Sequence, residues 1–173
     1  MFRMSQMLKI AAVAGVLVTT ITSAQAQSTG VTSEEAMAAF KAVRAYALKD
    51  GSDVSMTVVD RDGQIVLMLR GNTAAPHNLG LSLRKATTAN RFKMRSIDWR
   101  DRTKAGSPQA DERNTPGAIP LGGGVPIMVG NEVIGAVGVS GTKGGQEGDT
   151  ACAQAGADAA AALVKRLQAQ ARN

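Results

Sequence analysis

The chain has 173 residues, 44% of them hydrophobic, with 20 Lys and Arg against 14 Asp and Glu, one His and one Cys. That is one domain's length, enough for a packed core. A single cysteine excludes an internal disulfide, and no Cys/His cluster exists to hold a structural zinc. The formal charge of +6 points to anionic partners.

The first 26 residues have the three parts of a secretory signal peptide: basic Arg3 and Lys9, an uncharged apolar run from Ile10 to Ile21, and Ala24-Gln25-Ala26 as the cleavage pattern. The apolar run is shorter than the roughly 20 residues of a membrane span and ends in Thr and Ser. The expected organisation is therefore a signal peptide over 1–26 and a single domain over 27–173, without a membrane span after cleavage. The expected location is the bacterial periplasm or the extracellular space, where nucleic acid is not a partner. Anionic small molecules or the envelope surface are better candidates for a basic exported domain.

Ser33 with Glu34 and Glu35 reads as a helix start, and Ala36, Ala39, Phe40, Val43 and Ala47 follow at helical spacing until Lys49-Asp50-Gly51. Two strand-like runs, Val54 to Val59 and Gln64 to Leu69, flank a turn at Asp60-Arg61-Asp62-Gly63 with Gly at the position needing positive φ. Arg70 to His77 reads as a loop, Asn78 to Asn90 and Ser96 to Lys104 as helices, and Ala105 to Pro120 as a long loop. Leu121 to Val129 and Glu132 to Ser140 form a second hairpin around Gly130-Asn131. After a Gly-rich loop at 141–148, Asp149 reads as the cap of a last helix reaching Gln168. That helix's inner face is mostly Ala, with Gly156 permitting close approach and Cys152 read as a small buried hydrophobe. The order helix, hairpin, helices, hairpin, helix argues for an α+β sandwich with helices packed on an antiparallel sheet.

Three blocks carry a family resemblance. They are Val58-Val59-Asp60-Arg61-Asp62-Gly63; Arg84-Lys85-Ala86-Thr87-Thr88-Ala89 with Phe92, Lys93 and Met94; and Gly123-Gly124-Val125-Pro126-Ile127 running through Ile134 to Gly141 into Asp149, Ala153 and Gly156. In this order the chain resembles the GlcG/HbpS-like haem-binding family, also described as haem-degrading domains. The resemblance implies a profilin-like α+β sandwich, frequent homo-oligomers, and in some members export. It also departs from the pattern: many relatives carry an acidic pair where this chain has Gln146-Glu147-Gly148-Asp149.

His77 is the single histidine, and a loop-borne imidazole suits an axial ligand to haem iron. An exposed histidine solvated by water is the alternative, and some relatives ligate iron differently. Between Arg84 and Lys104 lie eight basic residues against Asp98 and Asp101. Arg and Lys are natural partners for haem propionates, although such runs are usually solvated helix faces. Arg84 and Lys85 stand out because they lie in a matching block. Gly123 and Gly124 lie in a glycine run that lets a ligand or another backbone come close, and it lacks the Lys-Ser/Thr ending of a phosphate loop. Met94 and Met128 read as packing residues.

The function expected is an exported haem or related tetrapyrrole-binding protein, with slow oxidative haem breakdown left open. The candidate cofactor is haem, with His77 the metal ligand and His77, Arg84, Lys85, Gly123 and Gly124 the binding set. The alternative is a small-molecule enzyme or accessory protein that uses the same cleft without haem, in glycolate-type or corrinoid metabolism. The low aromatic content after cleavage (Phe40, Tyr46, Phe92 and Trp99) favours that alternative, and the sparse titratable set favours binding over acid–base catalysis. A ligand-free oligomeric envelope protein, using the Ala-rich last helix as its contact, is the third reading.

Overall fold

Two hairpins share one antiparallel sheet in the computed structural model, which describes residues 30–173; the expected signal peptide lies outside them. The first is β1 (Ser55–Asp60) and β2 (Ile65–Leu69), the second β3 (Gly124–Val129) and β4 (Glu132–Ser140). They join through β1 and β4, giving the order β2-β1-β4-β3. The helices are α1 (Ser33–Ala47), α2 (Pro76–Phe92), α3 (Ser96–Arg102) and α4 (Gly145–Gln170), with short 3-10 turns at Leu48–Asp50 and Ala110–Asn114. This is the α+β sandwich expected from the element order.

The local chemistry explains the boundaries. The Asp60 side chain accepts the backbone N–H groups of Asp62 and Gln64 at 3.0 and 2.8 Å, and Gly63 takes φ +80°. The first turn is closed in this way. At α1 the cap is Thr32 rather than Ser33, because the Glu35 carboxylate accepts the Thr32 N–H at 2.8 Å in a capping box. Helix α2 begins at Pro76, earlier than expected: proline at the first helical position has its φ already set and no N–H to leave unpaired. His77 is therefore in the first turn of a helix and not in the loop before it. Helix α4 likewise starts at Gly145, so Asp149 lies inside the helix and does not cap it.

Register assigns the faces. Met56 and Val58 of β1, Val125 and Ile127 of β3, and Val137 and Val139 of β4 pack against Ala36, Ala39 and Val43 of α1 and Cys152, Ala153, Ala157 and Ala160 of α4. The neighbouring residues point the other way. Val59 and Ala136 meet Ala86 and Ala89 of α2, and Thr57 hydrogen-bonds Ser82 at 2.8 Å. A Cβ on Gly156 would stand 2.7 Å from Val43 Cγ2, so the glycine sets how closely α4 approaches α1.

Cys152 is fully buried, and its thiol donates to the Val43 carbonyl at 3.4 Å. Burial, reinforced by the Asp149 charge, pushes its pKa up to about 12. The thiolate is the reactive form. The native protein is therefore expected to give no reaction with Ellman's reagent at pH 8, and one thiol per chain after unfolding in guanidinium. Fast labelling of the native state would contradict this packing.

Candidate functional site

Helix α2 carries most of the residues singled out in the sequence and sorts them onto two sides. His77 and Arg84 are seven residues apart, about two turns or 10.5 Å along the axis, and both face outward and are exposed. Gly80 lies between them on that face. It is exposed, and nothing lies within 4 Å of the place its Cβ would occupy. A glycine inside a helix costs about 1 kcal/mol against alanine. Here it leaves the helix surface between His77 and Arg84 uncovered at Gly80.

The loop from 110 to 120 forms a wall beside that face because α2 holds it by three contacts. Arg84 Nη2 donates to the Ala118 carbonyl at 2.8 Å, Arg91 Nη1 donates to the Pro116 carbonyl at 2.8 Å, and the Thr88 hydroxyl accepts the Ile119 N–H at 2.9 Å. A groove of about 500 Å³ results, in which Arg84 sits among Ile65 of β2, Leu83, Thr87 and Gly117. Ile65 is 51% exposed, so the groove's sheet side is apolar and open to solvent. An apolar surface with a partly engaged guanidinium at its edge suits a flat ring that carries carboxylates.

Lys85, Gly123 and Gly124 are elsewhere. Lys85 turns inward, and its side chain is 3% exposed. Its ammonium donates to Asp149 Oδ2 at 2.7 Å and to the Val139 carbonyl at 3.1 Å. The other Asp149 oxygen accepts the Gly141 and Thr142 N–H groups at 3.1 and 2.9 Å and the Thr142 hydroxyl at 2.8 Å. That is why Asp149 sits inside α4: its carboxylate satisfies the loop between β4 and α4 and not the start of its own helix. The close approach expected at the glycine run is real, and the thing that approaches is backbone. A Cβ on Gly124 would lie 2.0 Å from the Lys85 carbonyl oxygen, and one on Gly123 would lie 2.5 Å from the Val139 oxygen and 2.8 Å from Asp149 Cβ. Ser96 Oγ accepts the Gly124 N–H at 2.8 Å, and Gln146 Oε1 accepts that of Gly122 at 2.7 Å. The segment Gln146 to Asp149, expected to be mostly loop, forms the first turns of α4 and contributes Gln146 as a strut and Asp149 as a buried counter-ion.

The basic run is largely neutralised by neighbours. Arg95 pairs with Asp98, Arg100 with Asp101 and Glu147, and Arg102 with Glu112. Among the described residues no three His, Cys, Asp or Glu side chains converge on a metal site. No described helix is long and apolar enough to cross a membrane. Met94 is half-buried; Met128 is 40% exposed near the second hairpin turn and is not packed as expected. Gly80 was the member of the outward face that sequence reading passed over; its only signal was a glycine inside a helical stretch, three residues after His77.

This fold recurs in solved structures. Klebsiella pneumoniae protein ORFY superposes with a TM-score of 0.73 at 29% identity, over 91% of this chain and 99% of that one. A double mutant of Streptomyces reticuli HbpS gives 0.70 at 31% identity, over 89% and 97%. An uncharacterized 15.0 kDa protein from the dhaT-dhaS intergenic region of Citrobacter freundii is 35% identical over 103 residues, 58% of this chain and 72% of that protein. The family model described as haem degrading protein HbpS-like matches residues 31–158, and the chain belongs to that HbpS-like family.

Proposed function

We propose that this protein is an exported haem-binding protein that holds the ring along the outward face of α2. His77 is the iron ligand, Gly80 the flat seat, and Arg84 the partner of a propionate. The observation that carries the proposal is that His77 and Arg84 are exposed two turns apart on one face of α2, with the uncovered Gly80 between them in sequence and an apolar groove beside Arg84, in a chain of a haem-degrading family. The donor chemistry fits: a neutral imidazole suits iron, Arg84 suits a carboxylate, and Ile65 and Leu83 supply apolar surface. Lys85, Gly123 and Gly124 are then structural, since their polar and close-packed atoms are engaged inside the protein. Bound on this face, with His77 holding it, haem would supply the iron centre that slow peroxide-driven breakdown requires. The location, periplasmic or extracellular, rests on the signal pattern of residues 1–26. Self-association rests on the family and on β2, an uncharged apolar edge strand of the kind that pairs with another chain.

Haemin added to the purified protein is expected to give a saturable, shifted Soret band. In His77→Ala the band should revert toward that of free haemin. Persistence of the wild-type band in the variant would remove His77 from the site, and absence of saturation in the wild type would remove haem.

A further inference from the structure

A second groove lies on the other side of the sheet, under the last turn of α1. Its floor is Val43, Val54 and Met56, all buried, with Phe40 and Leu69 on its walls. Its volume is about 350 Å³, within the range of roughly 300–1,000 Å³ typical of small-molecule sites. Met56 faces α1 and α4 whereas Thr57 faces α2, so the sheet separates this groove from His77 and Arg84.

Two guanidinium groups flank it, Arg44 from α1 and Arg70 from the end of β2. Neither forms an ion pair among the described residues. Arg70 Nη1 donates to the Ala74 carbonyl at 3.0 Å, which fixes that side chain, and Arg44 lies over the Phe40 ring at 5.9 Å. The one carboxylate in the lining, Asp53, is already engaged: its Oδ2 accepts the Thr73 N–H at 2.7 Å and the Thr73 hydroxyl at 3.1 Å. The Thr73 N–H holds the Asp53 carboxyl below its ordinary pKa, so it stays an occupied anion and adds no donor to the groove. The result is an apolar slot with a net positive rim. Two guanidinium groups without a salt bridge, one tied only to the Ala74 carbonyl and the other near the already engaged Asp53, beside a buried apolar floor favour an occupant that is anionic at one end and apolar along its body.

We propose that this groove binds a small monocarboxylate with an apolar body, its carboxylate held between Arg44 and Arg70 and its hydrocarbon on Val43, Val54 and Met56. The site is independent of the haem face.

The probe is decanoate, with decanol as its uncharged counterpart, titrated calorimetrically into the purified protein and into the Arg44→Gln/Arg70→Gln double variant. Both arginines are exposed and outside the core, so the variant is expected to fold, and circular dichroism checks this. Decanoate should bind the wild type at one site per chain and weaken by roughly tenfold or more in the double variant, while decanol is indifferent to the change. Haemin binding should be unaltered. Equal decanoate affinity in both proteins overturns the proposal. So does an absence of binding in both, which leaves the groove to a subunit contact. Loss of haemin binding in the double variant would also overturn it, placing haem in this groove and moving the haem site off α2.

Discussion

Lys85→Met is expected to lower unfolding stability by about 3–5 kcal/mol, the typical cost of removing one partner from a buried ion pair. The exchange nearly preserves side-chain length and leaves the Asp149 carboxylate, 7% exposed, without its ammonium. The Val139 carbonyl loses a donor at the same time. Two routes relieve the stranded charge: α4 can open at its N-terminus to admit water, or the carboxylate can take up a proton. Either loosens the junction of α2, β4 and α4. Urea denaturation followed by circular dichroism measures the change. The double variant Lys85→Met/Asp149→Leu should recover part of the loss, because it removes the stranded buried charge. Recovery stays incomplete, since the Gly141 and Thr142 N–H groups lose their acceptor at about 1 kcal/mol each. A Lys85→Met protein of unchanged stability that binds haemin more weakly would return Lys85 to the ligand site.

Gly124→Val should be at least as damaging, by a different mechanism. The added Cβ would meet the Lys85 carbonyl oxygen at 2.0 Å, and that atom is helix backbone, so no side-chain rotation relieves the clash. Helix α2 must move off the sheet, breaking contacts such as Ala86 with Ala136 and Thr57 with Ser82. Overpacking typically costs 1–3 kcal/mol, and a backbone collision belongs at or above about 3. Thermal unfolding should show a lowered, broadened transition or failure to fold. Gly130→Ala is the control. Nothing lies within 4 Å of its Cβ position, and φ of +60° alone predicts a loss of about 1–2 kcal/mol. A Gly124→Val protein as stable as Gly130→Ala would contradict the tight seat of α2.

Those two positions show what the sequence made legible. Alternating apolar residues such as Met56 and Val58, and turn residues such as Gly63 and Gly130, specify hairpins through rules that act over a few residues, so both hairpins and the helix order could be read directly. The glycine run at 122–124 announced a close approach, but the partner was 39 residues earlier in the chain, in the Lys85 backbone. Local pattern carries no information about what comes near, so the run is equally compatible with an approaching ligand and with a tight backbone corner. Lys85 and Arg84 are adjacent in the same block, yet one step of about 100° around a helix puts the first in the core and the second on the surface. Asp149 looked like a helix cap because acids cap helices; its tertiary partner, Lys85, is 64 residues away. The Arg44 and Arg70 groove left no local signature, because its residues come from α1, β1 and the chain after β2.

The most direct test of the central claim is a haemin titration of Gly80→Trp beside the wild type, read by Soret absorbance. The indole would fill open space on the outward face of α2 without touching the core, and replacing a helical glycine does not weaken the helix. With unchanged circular dichroism and melting temperature, the account predicts that haemin affinity falls by about tenfold or more. An unchanged affinity in a folded Gly80→Trp protein would show that haem does not lie between His77 and Arg84.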